Sequence, residues 1–344
     1  MTIGPERVFV GATSRRAVLR ALTSAVSVVL PALALGGCES MASGNGAGVE
    51  ASEISANRSL LVATTRKAVK GARASPWFGA ERWAMTAARA QLTPPDDGRF
   101  SLAAVGLSDW RINRVDLLGQ SAAVLGQAAS GRDVLIYVHG FNQTFETAAL
   151  DAARLSDSVR FRGETLVFSW PSRAKLFDYG YDRDSAMWSR DALHTVLDAM
   201  LASPTTGRIH IVAHSIGAML TMEALRQLYA ERGQLAADRI GALVFASPDI
   251  DMDVFTSSIE RIGPLARKIT VITATNDRAL ALSGWMAGGM TRVGAAEKAK
   301  LKLFGLHVVD ASEEGWGVIN HDLFLSNAQI EQVIRRVIDN PTGG

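Results

Sequence analysis

The sequence predicts one α/β domain built on a mostly parallel sheet of about eight strands flanked by helices. From Asp133 onward, short apolar runs without polar alternation recur between longer helical patterns, beginning with Val-Leu-Ile-Tyr-Val at 134–138. Such runs are typical of strands buried on both faces, and the intervening helices connect parallel neighbours. A chain of 344 residues is long enough to bury the large core that this architecture requires.

The individual elements follow from local patterns. A β-rich run at 60–65 predicts the first strand, and a second strand at 86–92 is ended by the turn sequence Pro-Pro-Asp-Asp-Gly. The later predicted elements are strand 134–138, helix 145–159, strand 165–170, helix 184–202, strand 208–213, a helix directly after it, strands 240–246, 268–274 and 306–309, and helix 326–338. Only about 20 residues separate the predicted strands at 240–246 and 268–274, which leaves no room for a large cap domain between them.

The first 37 residues are predicted to be an export signal. Arg15 and Arg16 precede an apolar run at 21–35, a pattern that resembles a twin-arginine signal. The run is shorter than the roughly 20 residues that a membrane-spanning helix needs. A retained signal anchor is the alternative interpretation.

A lipid attachment point is predicted at the end of this signal. Leu-Gly-Gly-Cys at 35–38 resembles a bacterial lipobox, and Cys38 is the only cysteine, which excludes an internal disulfide framework. We therefore expect Cys38 to anchor the protein to a bacterial membrane, in the cell envelope, facing the periplasm or the outside. Residues 38–58 are small and polar and predict a flexible tether, and 59–344 form the folded domain.

Charge gives no indication of a nucleic-acid partner. Residues 1–37 hold four of the 36 basic and one of the 34 acidic side chains, so that 32 basic and 33 acidic side chains remain. The near-neutral balance of the remaining chain gives no support for nucleic-acid binding. The expected partners are a membrane, through Cys38, and an acyl-ester small molecule or lipid as substrate.

The segment Ile-Val-Ala-His-Ser-Ile-Gly-Ala at 211–218 carries the strongest functional signal. A β-branched run ends at Ser215, small residues stand two positions away at Ala213 and Gly217, and a helical pattern follows. This arrangement predicts a nucleophile elbow, the tight strand-to-helix turn that presents a serine hydroxyl above a sheet. The usual first glycine is Ala213 here, and a serine that caps an ordinary helix is the alternative.

A serine nucleophile needs a base and a carboxylate that orients the base, in the chain order Ser, Asp, His for this architecture. Asp277 follows the strand 268–274, and His321 lies in the loop after the last strand. The run of Asp249, Asp251 and Asp253 after strand 240–246 is the alternative source of the acid, although loop solvation and helix capping explain it better.

The residues around these three complete the predicted site. The N–H groups of Phe141 and Ile216 are expected to form an oxyanion hole, with Gly140 allowing close backbone approach. Side chains expected beside the substrate are those of Asn142, His214 and Trp285. No histidine or carboxylate spacing suggests a metal site, and the predicted chemistry needs no cofactor.

These motifs together resemble the α/β-hydrolase superfamily, and within it a bacterial esterase/lipase-like family of unknown function. The segments that carry the resemblance lie between about 60 and 325 and are His139–Asn142, Ala213–Gly217, Asn276–Leu280, Asn320–His321, Val62–Arg66, Phe78–Arg82 and Ser247–Asp251. The resemblance implies an α/β-hydrolase fold and a Ser215–Asp277–His321 triad. It also implies a serine hydrolase that cleaves carboxylic esters. A thioesterase, peptidase or acyltransferase with the same triad, and a non-catalytic envelope lipoprotein on the same scaffold, are the alternatives.

Overall fold

The computed structural model describes residues 59–95, 110–286, 289–312 and 323–341, without the side chains of Arg278, Leu282, Trp285, Met286 and Leu323. The predicted export signal, the tether and Cys38 therefore lie outside the described residues. Within the described part of the chain, none of the helices has the length and apolarity that crossing a membrane would require.

Nine strands form one sheet. They are β1 (Ser59–Ala68), β2 (Phe78–Thr93), β3 (Arg111–Gly119), β4 (Val134–Val138), β5 (Glu164–Ser169), β6 (Ile209–His214), β7 (Ile240–Ala246), β8 (Ile269–Thr273) and β9 (His307–Asp310). Their order across the sheet is β3-β2-β1-β5-β4-β6-β7-β8-β9. Strand β2 is antiparallel to β1 and β3, whereas β1 pairs in parallel with β5, and every pairing from β5 to β9 is parallel.

Helices cover both faces of this sheet. They are α1 (Ala123–Ala128), α2 (Phe145–Ser158), α3 (Tyr179–Trp188), α4 (Arg190–Ala202), α5 (Ile216–Arg232), α6 (Gln234–Arg239), α7 (Met252–Ile259), α8 (Arg278–Met286), α9 (Lys298–Lys302) and α10 (Ala328–Asp339). Alternate residues of each strand point to opposite faces. In β4, Ile136 and Val138 join the core beneath α4 and α5, while Leu135 and Tyr137 join the core beneath α2 and α10.

The fold confirms the predicted class, a mostly parallel sheet covered by helices, and corrects some elements. Strand β3 was not predicted, because its sequence Arg-Ile-Asn-Arg-Val-Asp-Leu-Leu-Gly is half-exposed and polar at the sheet edge. The second strand is 16 residues long and starts at Phe78. The predicted helix 184–202 is two helices, α3 and α4, separated at Ser189, whose hydroxyl donates to the Ser185 carbonyl at 2.8 Å. Back-bonding of this kind competes with the regular helix ladder.

Candidate active site

Ser215 lies in a strained turn at the carboxyl end of β6. Its backbone has φ 52° and ψ −121°, a conformation that non-glycine residues adopt only when surrounding contacts enforce it. The turn is held from both sides, because the Ser215 N–H donates to the Ala246 carbonyl at 3.0 Å and the Ser215 carbonyl accepts from Asp249 N–H at 3.2 Å. Such strain costs about 1–3 kcal/mol and is concentrated at functional sites.

Two glycines allow β4, β6 and α5 to meet at this turn. A Cβ added at Gly217 would lie 2.4 Å from the His139 carbonyl oxygen and 2.6 Å from that of Val138. A Cβ at Gly140 would lie 2.7 Å from Nδ1 of His214 and 3.0 Å from Cβ of Ser215. These distances are too short for any side chain, so the backbone after β4 is in direct contact with the start of α5.

The two predicted oxyanion donors flank this contact. Ile216 is the first residue of α5, and the first N–H groups of a helix have no intrahelical acceptor. The Phe141 N–H donates no hydrogen bond within the described part of the chain. The Phe141 ring packs edge-on against Tyr179, with 5.5 Å between ring centroids.

A buried arginine supports the loop that contains Phe141. Arg66, 1% exposed, donates to the carbonyl oxygens of Gln143 at 2.7 Å and Ser172 at 2.9 Å and to Ser169 Oγ at 2.9 Å. Burial lowers the pKa of this guanidinium to about 10, so it remains charged at neutral pH. One side chain thus ties β1 to the loops that follow β4 and β5.

Asp182 supports the same loop from α3. Its carboxylate accepts hydrogen bonds from Ser172 Oγ at 2.5 Å, from Arg173 N–H at 2.8 Å and from Asn142 N–H at 3.3 Å. Burial raises the pKa of this carboxyl group. Asn142 has φ 61°, so its conformation depends on contacts of this kind.

His139 is a structural residue in this arrangement. Its ring is fully buried and stacks on Trp170 at 4.6 Å, with Nδ1 2.8 Å from the Gly140 carbonyl oxygen and Nε2 3.1 Å from that of Trp170. Burial, followed by the charge of Arg66, lowers the pKa of His139 to about 3. A ring that stays neutral and enclosed fixes backbone geometry.

The aspartates after β7 have structural partners. Asp249, 3% exposed, pairs with Arg292 Nε at 3.1 Å and accepts from Ser283 Oγ and from the Tyr179 hydroxyl at 2.6 Å each. Burial, followed by the charge of Asp249, raises the pKa of Tyr179 to about 12. Asp251 is the N-cap of α7, where it accepts from Asp253 N–H and Val254 N–H.

Asp277 lies at the carboxyl end of β8, two strands from β6. It is 1% exposed, and Oδ1 accepts from Ala279 N–H at 2.9 Å and Leu280 N–H at 3.0 Å at the start of α8. These bonds orient the carboxyl group from one side. The strand order places Asp277 on the same edge of the sheet as Ser215.

His321 lies outside the described residues, as does the side chain of Trp285. The chain on either side of His321 is described. Before it, Ser312 binds the loop after β8, with its carbonyl accepting from Asn276 Nδ2 at 2.8 Å and Oγ accepting from Thr275 N–H at 3.0 Å. After it, the Phe324 ring lies 4.8 Å from the His214 ring, next to Ser215.

The predicted site residues that are described therefore share one edge of the sheet. They are Phe141, Asn142, His214, Ser215, Ile216 and Asp277. His214 is 2% exposed and packs under Gly140, so its ring forms part of the floor of the site. Sequence reasoning missed the roles of Arg66, Asp182 and Arg292. For Arg66 the sequence does contain a signal, because a single arginine directly follows the apolar run at 60–65.

The sheet, its covering helices and the strand-to-helix turn at Ser215 define an α/β-hydrolase fold. A family described as alpha/beta hydrolase of unknown function (DUF900) matches residues 122–337. The chain belongs to this family. The family places the chain among hydrolases and leaves the substrate open.

One curated relative and several solved structures are similar to the chain. Over 122 residues it is 26% identical to the uncharacterized protein alr1448 of Nostoc sp., a match covering 28% of this chain and 32% of that protein. The chain thus spans about a third of that relative's length.

The similar solved structures are hydrolases from other organisms. The predicted CIB-like hydrolase of Thermoplasma acidophilum is 17% identical with a TM-score of 0.35, covering 61% of this chain and 86% of that one. The esterase of Pyrobaculum calidifontis is 13% identical with a TM-score of 0.34, covering 83% and 85%. The acetyl xylan esterase core of Trichoderma reesei is 13% identical with a TM-score of 0.36, covering 61% and 99%. Likenesses at this level add nothing to the assignment of an activity.

Proposed function

We propose that the protein is a serine hydrolase that cleaves carboxylic esters through an acyl-enzyme on Ser215. The observation that carries the proposal is the strained turn at Ser215, at the carboxyl end of a buried strand and the start of α5. An N-cap serine would have extended backbone and a side-chain bond to the helix. Ser215 has neither, because its φ is positive and its side chain makes no capping hydrogen bond.

In this proposal His321 is the base and Asp277 orients it. Before His321, Ser312 is hydrogen-bonded to the loop that precedes Asp277, and after it Phe324 packs beside His214. His321 is three residues before Phe324, and three residues span at most about 11 Å. The length of this connection permits His321 to approach Ser215, which supports its assignment.

The proposed reaction has two steps. Ser215 Oγ attacks the acyl carbonyl while His321 takes its proton, and the negative charge that develops on the carbonyl oxygen is bound by the N–H groups of Phe141 and Ile216. The ester C–O bond breaks, and the leaving alkoxide receives that proton from His321. Water then attacks the acyl-enzyme, with His321 again as base, and releases the carboxylic acid and free Ser215.

The setting of the reaction is also a proposal. The twin-arginine-like signal and lipobox support an exported protein anchored through Cys38, with an ester or a lipid as substrate. Thioester, amide and acyl-transfer chemistry would use the same groups. A non-catalytic envelope lipoprotein is the alternative from another class, and the strained turn at Ser215 weighs against it, since strain is retained where it serves a function.

Labelling with a fluorophosphonate probe tests the serine mechanism directly. We expect stoichiometric labelling of the full chain and hydrolysis of short p-nitrophenyl esters. Both should be lost in Ser215→Ala and His321→Ala, with circular dichroism unchanged. Ser247→Ala is the matched control, because Ser247 also has positive φ (44°) at the end of the neighbouring strand β7. A folded wild-type protein that does not label would refute the proposal.

The identity of the acid is tested by two asparagine variants. Asp277→Asn should lower kcat by about 10⁴-fold, the cost of losing the carboxylate that fixes the imidazole. Asp249→Asn should instead lower the melting temperature, because it breaks the buried pair with Arg292, and leave kcat within about tenfold. The opposite pattern of kcat would transfer the role to Asp249.

A further inference from the structure

A cavity of about 660 Å³ opens at the amino edge of the sheet, opposite the edge that contains Ser215. It lies where β4, β5 and β6 begin and is closed by the end of α10. Its arginines are Arg132, Arg160, Arg162, Arg208 and Arg335. All five are exposed, and the repulsion between guanidinium groups around one cavity would be relieved by an anion bound among them.

The acids around the cavity neutralise only part of this charge. Glu164 pairs with Arg132, and Asp339 pairs with Arg335 at 3.8 Å. The remaining acid of the lining, Asp133, accepts from the Arg208 backbone N–H at 2.7 Å. Within the described part of the chain, the guanidinium groups of Arg160, Arg162 and Arg208 have no hydrogen bond or ion pair. Arg160 does face Asp157, where its charge offsets part of the rise in that carboxyl group's pKa that burial causes.

A buried histidine adds a neutral donor to the same cavity. His210 is 2% exposed, and its Nδ1 accepts from Ala242 N–H at 3.1 Å. Burial lowers the pKa of His210 to about 4, so the ring is neutral near pH 7 and its one proton lies on Nε2. Within the described residues this Nε2–H has no acceptor, which leaves it available to a ligand in the cavity.

We propose that this cavity binds a phosphate-bearing anion. A guanidinium group has a planar fork of donors that matches phosphate oxygens bidentately, and arginine predominates where such groups are recognised. Three unpaired arginines and the His210 Nε2–H together offer donors to the several oxygens of one phosphate group. The ligand is either a free phosphate ester or the headgroup of an anionic phospholipid.

Two features of the same edge favour the headgroup. A second cavity lies beside β8 and β9. The described residues that line it include Lys268, Lys298, Lys302 and Arg336 and no acid. Strand β1 also begins here, at Ser59, because it runs parallel to β5. A lipid on Cys38, part of the proposed function, would attach the domain to a membrane through the segment that ends at this edge.

The test uses the full chain and a charge-reversed double variant, Arg162→Glu with Arg208→Glu. Its control is Lys70→Glu with Arg73→Glu, which makes the same change in charge on exposed residues between β1 and β2, at the carboxyl edge. Inorganic phosphate and glycerol 3-phosphate are titrated calorimetrically in one arm. In the other, sedimentation is measured with phosphatidylcholine vesicles that contain or lack about 30% phosphatidylglycerol.

A headgroup site predicts that the double variant loses roughly 30-fold in partitioning to the anionic vesicles, as expected for two basic residues at an anionic surface. The control should change less than threefold, and added salt should weaken wild-type binding. A free-ester site predicts the corresponding loss in the calorimetric arm alone. Equal behaviour of both double variants in both arms would overturn the proposal. Ester hydrolysis should be unchanged in the Arg162/Arg208 variant. Failure of this proposal can therefore be distinguished from failure of the proposed serine hydrolase activity.

Discussion

Replacing Gly217 by alanine tests whether the contact between β4 and α5 builds the proposed oxyanion hole. The new Cβ would lie 2.4 Å from the His139 carbonyl oxygen, so the contact must open by at least roughly 0.6 Å to reach the 3.0 Å limit of real contacts. The obstacle is backbone on both sides and cannot rotate away. Opening it moves Ile216 N–H away from Phe141 N–H, and losing one oxyanion donor costs about 10²- to 10³-fold in kcat.

The stability change has two opposing parts. Alanine is favoured over glycine in a helix by up to about 1 kcal/mol. Overpacking costs typically about 1–3 kcal/mol. Gly180→Ala isolates the first part, because Gly180 lies in α3 with nothing within 4 Å of its added Cβ. We therefore expect Gly217→Ala to be less stable than Gly180→Ala by about 1–3 kcal/mol in urea unfolding.

Activity and stability are measured together, with p-nitrophenyl butyrate turnover and urea unfolding on the same preparations. Gly180→Ala should keep wild-type kcat. If Gly217→Ala keeps both the kcat and the stability of Gly180→Ala, the close approach of β4 to α5 has no part in the site.

Two further predictions concern buried groups. Arg66→Lys keeps the charge but loses the planar fork of donors that joins two loops, so kcat should fall tenfold or more with little change in KM. Lys67→Ala, which removes only exposed contacts with Glu81 and the Trp83 ring, should change neither kcat nor KM. Equal kinetics in both variants would remove Arg66 from the support of the Phe141 loop. His210 binds no proton in the folded state until the pH approaches its pKa of about 4, whereas its usual value is 6.5. The stability that it contributes is therefore present above pH 6.5 and lost as the pH falls. The deficit of His210→Asn at pH 7.5 should shrink by about 2 kcal/mol at pH 5 in urea unfolding, and a constant deficit would contradict the shift.

Much of the sheet could be predicted because its strands are buried on both faces. The runs at 134–138 and 240–246 are continuously apolar, and the observed strands β4 and β7 have the same bounds. Strand β3 could not be predicted in this way, since its polar sequence becomes a strand only by pairing with β2. Edge strands depend on a partner that is distant in sequence, and local patterns do not contain that information.

The residues of the candidate site also fall into those that the sequence could predict and those that it could not. Ser215, Gly217 and Asp277 could be selected from the sequence because a tight turn and a strand end have local signatures. The buried partners of the site have none. Arg66 reaches Gln143 and Ser172, more than 70 residues away in sequence, and only the folded chain brings these groups together.

The sequence by itself determined the α/β class, the positions of the buried strands along the chain and the turn at Ser215, because apolar periodicity and small-residue spacing are properties of short segments. Only the tertiary structure shows that Asp249 forms an ion pair with Arg292 and that Arg66 supports the Phe141 loop. It alone also shows that five arginines line one cavity at the opposite edge of the sheet. The physical reason is that hydrogen bonds and charge pairs are chosen by proximity in space. Proximity across a nine-stranded sheet follows from strand order.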